Sequence, residues 1–268
     1  MGIKTHTLAV LLRTESSITT FPLQDIIIAM VSINKSLATA ILALGLITAH
    51  PTSDTSLRTT HKHHIRADFR DEFDTLDTNI WRCEYTCPVI EGGRARFRLR
   101  SGVPPNNEGS WSKARYTPTR FTSGRFTVSF SLTARPEDHP VWWGVALWDD
   151  GPAADGSQFN EINFGYTTDQ SYGSTELRFE SARRGAYDSL RVDTSVNLYD
   201  EQYHEATLEY DSTRVALYVD GKLLQEITDQ SIIPTDPMDL VLGPRLVTGG
   251  EPLTQGFTQS IDWVEISY

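Results

Sequence analysis

The chain has 268 residues, of which 39% are hydrophobic, and its formal net charge at pH 7 is −11. This length is enough for one globular domain with a hydrophobic core and flanking segments. The negative charge argues against nucleic acids and anionic membranes as partners, because both bind basic patches. A neutral glycan or a small organic molecule fits the composition better.

Residues 30–53 have the pattern of a secretory signal peptide. Met30 opens a short segment with one basic residue, Lys35, and residues 36–49 form an apolar run that ends among small residues. The run is about 14 residues long, whereas a membrane-spanning helix needs about 20. We therefore expect secretion and no membrane association once the signal is removed, with residues 1–29 as an upstream extension. An uncleaved signal anchor is the alternative.

Residues 54–67 are predicted to be a polar linker, and residues 68–268 to form a single domain. The linker contains Pro, Ser and Thr and three closely spaced histidines, His61, His63 and His64. Such clusters sometimes bind metal ions, but in a polar segment of this kind a solvated tail is favoured. No metal site is predicted there.

Cys83 and Cys87 are the two cysteines of the chain. In a secreted protein an even number of cysteines favours a disulfide, and a pair with no further Cys or His ligand nearby is a poor zinc site. We therefore predict a Cys83–Cys87 bridge that closes a short loop near one end of the domain.

Alternation of apolar and polar residues predicts strands at 94–100, 125–132, 176–180, 206–210 and 215–219. The Asp220-Gly221 dipeptide between 215–219 and 223–227 predicts a two-residue hairpin turn. Helical periodicity is missing after residue 50. Many short strands separated by turn residues indicate an all-β sandwich or jelly roll.

Residues 160–166, NEINFGY, are predicted to form a strand with one polar face. Successive side chains of a strand point to opposite sides, so Glu161, Asn163 and Gly165 share one face. Ile162, Phe164 and Tyr166 occupy the other face, which is expected to be core.

The preceding segment, 142–148, is rich in tryptophan. By the same alternation Trp142 and Trp148 share a face and Trp143 is opposite. We expect at least one of them to line a cleft and stack on a ligand ring. Weaker candidates for the same role are Trp111, Tyr166 and His204. Trp263 is expected to fill the interior of the sandwich.

Eight segments resemble, in order, those of glycoside hydrolase family 16, the laminarinase-like and transglycosylase-like β-jelly rolls. They are residues 68–74, 112–115, 123–126, 142–148, 203–206, 217–222, 233–238 and 261–264. The resemblance covers residues 68–268. It implies a concanavalin A-like β-jelly-roll sandwich, with two packed antiparallel sheets and a concave cleft.

The resemblance also implies roles for the strand at 160–166. The family pattern is Glu-x-Asp-x-Glu, so Glu161 corresponds to the nucleophile, Asn163 to the helper and Gly165 to the acid/base glutamate. Glycine cannot donate a proton, and loss of general acid–base help costs about 10²–10⁴-fold in rate. Replacement acids considered from the sequence are Asp149, Asp150, Asp155, Asp169, Glu176 and Glu180, all expected to be solvated rather than catalytic.

Three functions remain compatible with the sequence. The first is a secreted carbohydrate-active protein acting on or binding a β-glucan-type polysaccharide, with hydrolysis in doubt. The second is a lectin-like glycan-binding protein. The third is a non-hydrolytic cyclase or isomerase that acts on a small hydrophobic metabolite, with Glu161 as base or polar anchor. A monomer is expected, with no cofactor apart from a possible structural calcium ion, for which Asp262 is a compatible ligand.

Overall fold

The computed structural model describes residues 67–153, 157–166, 171–247 and 251–268, without the side chain of Tyr166. The predicted extension, the signal peptide and the linker up to residue 66 lie outside the described residues. Within these ranges no helix has the length and apolar character needed to cross a membrane.

The described residues form sixteen strands. Their bounds are β1 Phe69–Asp71, β2 Trp81–Tyr85, β3 Val89–Ile90, β4 Ala95–Leu99, β5 Ser112–Tyr116, β6 Gly124–Leu132, β7 Val141–Asp149, β8 Asn160–Tyr166, β9 Glu176–Arg183, β10 Ala186–Asp193, β11 His204–Tyr210, β12 Val215–Val219, β13 Lys222–Ile227, β14 Asp239–Leu242, β15 Arg245–Leu246 and β16 Phe257–Ser267.

The strands form two antiparallel sheets. Sheet A has the order β13-β12-β11-β6-β16-β4-β3, and β1 also pairs with β16. Sheet B has the order β10-β9-β8-β7-β14-β5-β2, and β15 also pairs with β7. The non-consecutive neighbours show that the chain crosses repeatedly between sheets. The predicted all-β sandwich of two antiparallel sheets is confirmed.

The core lies between the sheets and is built by alternate residues of each strand. Phe130 of sheet A and Trp143 of sheet B are fully buried, with ring centroids 5.4 Å apart. Trp143 Nε1 donates to the Tyr199 hydroxyl at 2.9 Å, so its polar atom is satisfied inside the core. Ile162 and Phe164 are buried in the same cluster, and the apolar face predicted for β8 is confirmed for these two residues.

The predicted hairpin and disulfide are both present. Asp220 and Gly221 have φ values of 49° and 73°, as a two-residue hairpin turn with positive φ at both positions requires. Cys83 and Cys87 are bonded, with their Cα atoms 5.1 Å apart. The bridge joins strand β2 to the segment before β3.

The prediction for Trp263 was wrong. The pairing of β16 with β6 shifts register between Ile261 and Trp263, which is the signature of a β-bulge. Trp263 therefore lies outside the core cluster, and the guanidinium of Arg70 stacks 4.1 Å from its ring centroid. The interior positions on either side of the bulge are filled by Ile261 and Val264.

Candidate functional site

The polar face of β8 lies on the side of sheet B that faces away from sheet A, here called the outer face of sheet B. Antiparallel partners share a face, and Glu161 pairs with Trp148, while Asn163 pairs with Ala146 on one side and with Glu180 on the other. These five residues therefore project together, as the alternation in the sequence predicts for Glu161 and Asn163.

The outer face of sheet B is recessed. Trp142, Ala146 and Val241 form a second apolar cluster there, separate from the core between the sheets, and each is at most 6% exposed. Asn163 is only 1% exposed. Their burial shows that neighbouring groups shield this part of the outer face from solvent. Glu161 lies on the same face and keeps partial solvent exposure.

Two carboxylates of the recess are held by one amide group. Asn163 Nδ2 donates to Glu161 Oε1 at 2.7 Å and to Glu180 Oε2 at 3.1 Å. Arg178 Nη1 donates to Glu180 Oε1 at 3.2 Å. The two carboxylate oxygens that Asn163 binds cannot be farther apart than the sum of the 2.7 and 3.1 Å bonds.

The electrostatics of the pair favour one proton on Glu161. Burial and then the negative charge of Glu180 raise the pKa of Glu161 to about 8. Opposing contributions from Arg245, Asn163 and Arg178 are smaller. At neutral pH Glu161 is therefore largely protonated, in the state required of a proton donor.

Gly165 has a conformation that a glutamate could not adopt without a change in the backbone. Its φ is 95°, and an added Cβ would lie 2.3 Å from the Trp143 carbonyl oxygen. The register of β7 and β8 also shifts between Trp142 and Val145, next to this position. A side chain at position 165 would therefore point at the backbone of β7, and the local backbone would have to change to accommodate it.

The tryptophans divide between the faces as the alternation predicts. Trp143 lies in the core and cannot contact a ligand on the outer face. Trp142 and Trp148 lie on the outer face. Trp148 stacks on Phe159 with 5.4 Å between centroids, and its Nε1 donates to Asp150 Oδ1 at 2.9 Å.

Trp111, one of the weaker sequence candidates, belongs to an aromatic platform at the edge of the same face. Arg245 pairs with Trp142 in the sheet and forms a bridge with Trp111, which places these residues in one row. Tyr85 stacks on Trp111 with rings nearly parallel and centroids 4.5 Å apart, and it is 54% exposed. Tyr85 is not predicted from the sequence, because its position depends on its φ of 63° in the disulfide-closed loop.

His204 is not brought together with Glu161. It lies in β11 of sheet A, where its Nδ1 is 2.9 Å from Asp220 Oδ2. Burial lowers the pKa of His204, but the hydrogen bond and charge of Asp220, with Asp200, raise it overall. These contacts indicate a structural role in the turn. Tyr166 belongs to β8, but its side chain lies outside the description.

Among the proposed replacement acids, the structure places Glu180 beside Glu161. Asp149 pairs with Arg120, and Asp150 accepts the Trp148 indole hydrogen. Glu176 pairs with Arg191, and Asp155 and Asp169 lie outside the described residues. The expectation that Glu180 is solvated was wrong, because it is half-buried against Asn163.

Several buried polar atoms of the outer face have no hydrogen-bond partner within the described ranges. They are Asn163 Oδ1, Trp142 Nε1 and Trp111 Nε1. Buried polar atoms are normally paired, so unpaired ones at one surface indicate groups supplied by a ligand or by water.

No metal-binding group was found in the part of the chain that is described, where no three His, Cys, Asp or Glu residues are clustered suitably. Asp262, considered above as a calcium ligand, pairs with Arg94 Nε at 3.2 Å. A cavity of about 350 Å³ lies elsewhere, between residues such as Arg125, Glu209 and Tyr268, and none of the predicted site residues lines it.

Comparisons with known proteins agree with this architecture. A β-1,3-1,4-glucanase (lichenase) from a mouse hindgut metagenome has a TM-score of 0.60 and 18% identity, over 74% of this chain and 98% of that chain. Bacillus licheniformis β-glucanase has a TM-score of 0.60 and 18% identity, over 75% and 97%. The laminarinase catalytic domain of Thermotoga maritima has a TM-score of 0.59 and 16% identity, over 75% and 97%.

These likenesses confirm the concanavalin A-like jelly-roll fold. No curated protein matches the sequence significantly. Residues 106–267, more than half of the chain, match the family profile described as the concanavalin A-like lectin/glucanases superfamily. The chain belongs to the concanavalin A-like lectin/glucanases superfamily.

Proposed function

We propose that this protein is a secreted carbohydrate-active protein that binds a β-glucan-type polysaccharide along the outer face of sheet B. Superfamily membership and the fold shared with glucanases support a glycan ligand. The disulfide is consistent with an oxidising, extracellular compartment.

The observation that carries the proposal is the row from the recess to the aromatic platform. Trp142 in the recess, Arg245 in the middle and the Tyr85–Trp111 stack at the edge follow one another on a single face. An exposed ring such as that of Tyr85 offers a flat apolar surface to the carbon-bound hydrogens of a sugar, and its neighbours provide hydrogen-bond donors for hydroxyls. An extended chain of sugars could therefore contact both the platform and the Glu161 recess.

The chemistry of the recess also fits a neutral sugar chain. Glu161, Asn163 and Glu180 provide acceptors, and the unpaired indole Nε1 of Trp142 provides a donor. Sites for uncharged sugars combine such polar groups with aromatic surface.

Affinity measurements with soluble glucans test the proposal. The full chain is titrated with laminarin and lichenan, and insoluble glucan is used in a pull-down. Tyr85→Ala is expected to weaken binding by about 1–2 kcal/mol, because one exposed stacking surface is lost. Tyr203→Ala is the matched control, since Tyr203 is an exposed tyrosine immediately before β11 of sheet A and contacts Arg94.

Two results would contradict the proposal. One is the absence of binding to every β-glucan tested, and the other is equal weakening by Tyr85→Ala and Tyr203→Ala. Binding without release of reducing ends would identify the lectin-like alternative.

A second candidate function is favoured by one observation. The apolar cluster of Trp142, Ala146 and Val241 lies on the same face as Glu161, whose pKa is raised to about 8. An apolar recess with a group that titrates near neutrality also suits proton transfer on a small hydrophobic metabolite. Failure to bind glycans, together with saturable binding of a small hydrophobic probe that Glu161→Gln weakens, would favour this alternative.

A further inference from the structure

The family resemblance leaves the site with one carboxylate, but the structure supplies two. Glu180 lies on β9, directly across from Asn163 of β8, and is thus a diagonal neighbour of Glu161. Diagonal neighbours in a sheet have Cβ atoms less than about 7–8 Å apart, within reach of long side chains. Here both carboxylates converge on the same amide nitrogen.

The two carboxylates are close enough for one of the two geometries of glycoside hydrolysis. Retaining enzymes need carboxyl groups about 5–5.5 Å apart, and inverting enzymes need about 6.5–9.5 Å. The bonds of 2.7 and 3.1 Å from Asn163 Nδ2 limit the distance between the two bound oxygens to their sum. An oxygen–oxygen distance within this limit is compatible with the short separation that a retaining mechanism needs.

A second observation, independent of the carboxylates, indicates that this face binds a ligand with polar groups. Asn163 is 1% exposed, and its Oδ1 has no hydrogen-bond partner within the described ranges. The same is true of Nε1 of Trp142, which is 6% exposed and lies on the same face. One unpaired acceptor and one unpaired donor suit a ligand with hydroxyl groups, because a hydroxyl both donates and accepts.

The surroundings of the two carboxylates differ in a way that assigns their roles. Glu180 accepts from Arg178 and from Asn163, and both bonds favour a charged carboxylate. Glu161 accepts a hydrogen bond from Asn163 and is paired in the sheet with Trp148 and Ala182, neither of which carries a charge. A carboxylate that a guanidinium holds is suited to act as the nucleophile, and Glu161, which accepts no hydrogen bond from a guanidinium, is suited to act as the proton donor.

We propose that Glu180 is the second catalytic carboxyl of this site, and that the Glu161–Glu180 pair cleaves β-glycosidic bonds with retention of configuration. This inference rests on the proposed function, because it assumes that a β-linked glycan occupies the outer face of sheet B. The roles differ from those implied by the family resemblance, in which Glu161 is the nucleophile.

The reaction requires the carboxyl groups of Glu161 and Glu180 and one water molecule. A Glu180 oxygen forms a bond to the anomeric carbon while the bond from that carbon to the leaving oxygen breaks, and the leaving oxygen takes the proton of Glu161. Water then attacks the anomeric carbon and releases the Glu180 carboxylate, and Glu161 takes a proton from that water. Asn163 holds both carboxylates in position throughout.

Release of reducing ends from laminarin and lichenan tests the inference, with the full chain and three variants. Glu161→Gln and Glu180→Gln are each expected to reduce the rate by about 10²-fold or more. Glu176→Gln is the matched control, since Glu176 is on the same strand but pairs with Arg191, and its rate should be unchanged. The configuration of the first product, measured by NMR, should be that of the substrate.

An aryl β-glucoside with a good leaving group separates the two roles. Such a leaving group needs no proton, so Glu161→Gln should still release the aryl group in a first turnover, and Glu180→Gln should not. A purely structural role for either residue would not produce this difference. Glucan pull-down by both variants verifies that the fold and the binding face persist.

The failures of this inference and of the proposed function are distinguishable. Glucan binding by the wild type without any cleavage would overturn the catalytic pair and leave the binding proposal intact. Full activity of Glu180→Gln, or a product of inverted configuration, would also overturn it. Absence of both glucan binding and glucan cleavage in the wild type would overturn both proposals.

Discussion

Two glutamates on the outer face of sheet B show opposite behaviour. Glu84 in β2 forms ion pairs with Lys113 Nζ at 2.8 Å and with Arg115 Nε at 3.0 Å, whereas Glu161 in β8 shares an amide with a second carboxylate. Burial alone would raise the pKa of Glu84, but the bond to and charge of Lys113 lower it to about 2. For Glu161, burial and the charge of Glu180 both raise the pKa, which is about 8.

Burial alone therefore does not decide the charge of a carboxyl on this face. At the β2–β5 edge each acid meets a base, and the result is a fixed ion pair that stabilises the fold. At β8 and β9 an acid meets another acid, which weakens the fold at high pH and leaves a group that titrates near neutrality. Groups with such shifted pKa values concentrate at functional sites.

The largest expected effect comes from disturbing the bulge at Gly165, between β7 and β8. Gly165→Ala should destabilise the protein by about 3–4 kcal/mol, because it combines an unfavourable φ with a Cβ 2.3 Å from the Trp143 carbonyl oxygen. Gly221→Ala is the control, since its φ is 73° but nothing lies within 4 Å of the added Cβ. The control should cost about 1 kcal/mol. Urea unfolding of both variants measures the difference, and equal costs would contradict the close approach.

Replacing Glu84, the acid that pairs with Lys113 at the β2–β5 edge, should have the next largest effect on stability. Glu84→Gln leaves the buried Lys113 without its partner and should cost about 3 kcal/mol at pH 7. The folded-state pKa of Glu84 lies below its unfolded value of 4.5, so its contribution is present above pH 4.5 and is lost as the pH falls toward 2. Between pH 2 and 7, the unfolding temperature of the variant should fall less on acidification than that of the wild type.

Two variants sharpen this test. Lys113→Met in the Glu84→Gln background should recover part of the lost stability, because the unpaired ammonium is removed. Glu108→Gln is the exposed control and should change stability by less than about 0.5 kcal/mol. No recovery in the double variant would show that the ion pair is not what Glu84 contributes.

The disulfide should have an intermediate effect. Replacing Cys83 and Cys87 by serine opens a loop of a few residues, for which the entropic contribution is about 2 kcal/mol. Tyr85 lies inside this loop, so glucan affinity should fall together with stability if the platform binds sugar. A calorimetric titration with laminarin, performed well below the unfolding temperature of the variant, separates the two effects; unchanged affinity would argue against the platform.

Replacing Glu161 of the Glu161–Glu180 pair should have the smallest effect on stability. This effect should be stabilising, unlike those of the preceding variants. The pKa of folded Glu161 is above its unfolded value of 4.5, so the folded state retains a proton that the unfolded state releases, and stability falls as the pH rises from 4.5 to 8. Glu161→Gln should remove this fall and stabilise the protein at pH 9 by about 1–2 kcal/mol, with little change at pH 4. An unchanged pH dependence between 5 and 9 would show that Glu161 is not protonated in the folded state.

Local sequence patterns predicted the strands of this protein and the faces on which several of their side chains lie. The alternation of residues 160–166 and 142–148 placed Glu161 and Asn163 on one face and separated Trp143 from its two neighbours, because side chains alternate in any strand. The Asp220-Gly221 turn and the Cys83–Cys87 bridge could also be predicted, since each depends on residues close in sequence. The two-sheet sandwich followed from the many short strands and from the order of the family-like segments.

Tertiary structure alone decided which residues meet. Glu180 became the neighbour of Glu161 through the register of β8 and β9, and a shift of one residue would have turned it to the other face. Tyr85 stacks on Trp111, and His204 lies on the opposite sheet. A bulge in β16 places Trp263 outside the core. Register, bulges and the stacking of two sheets are set by contacts between distant residues, so no local pattern in the sequence contains them.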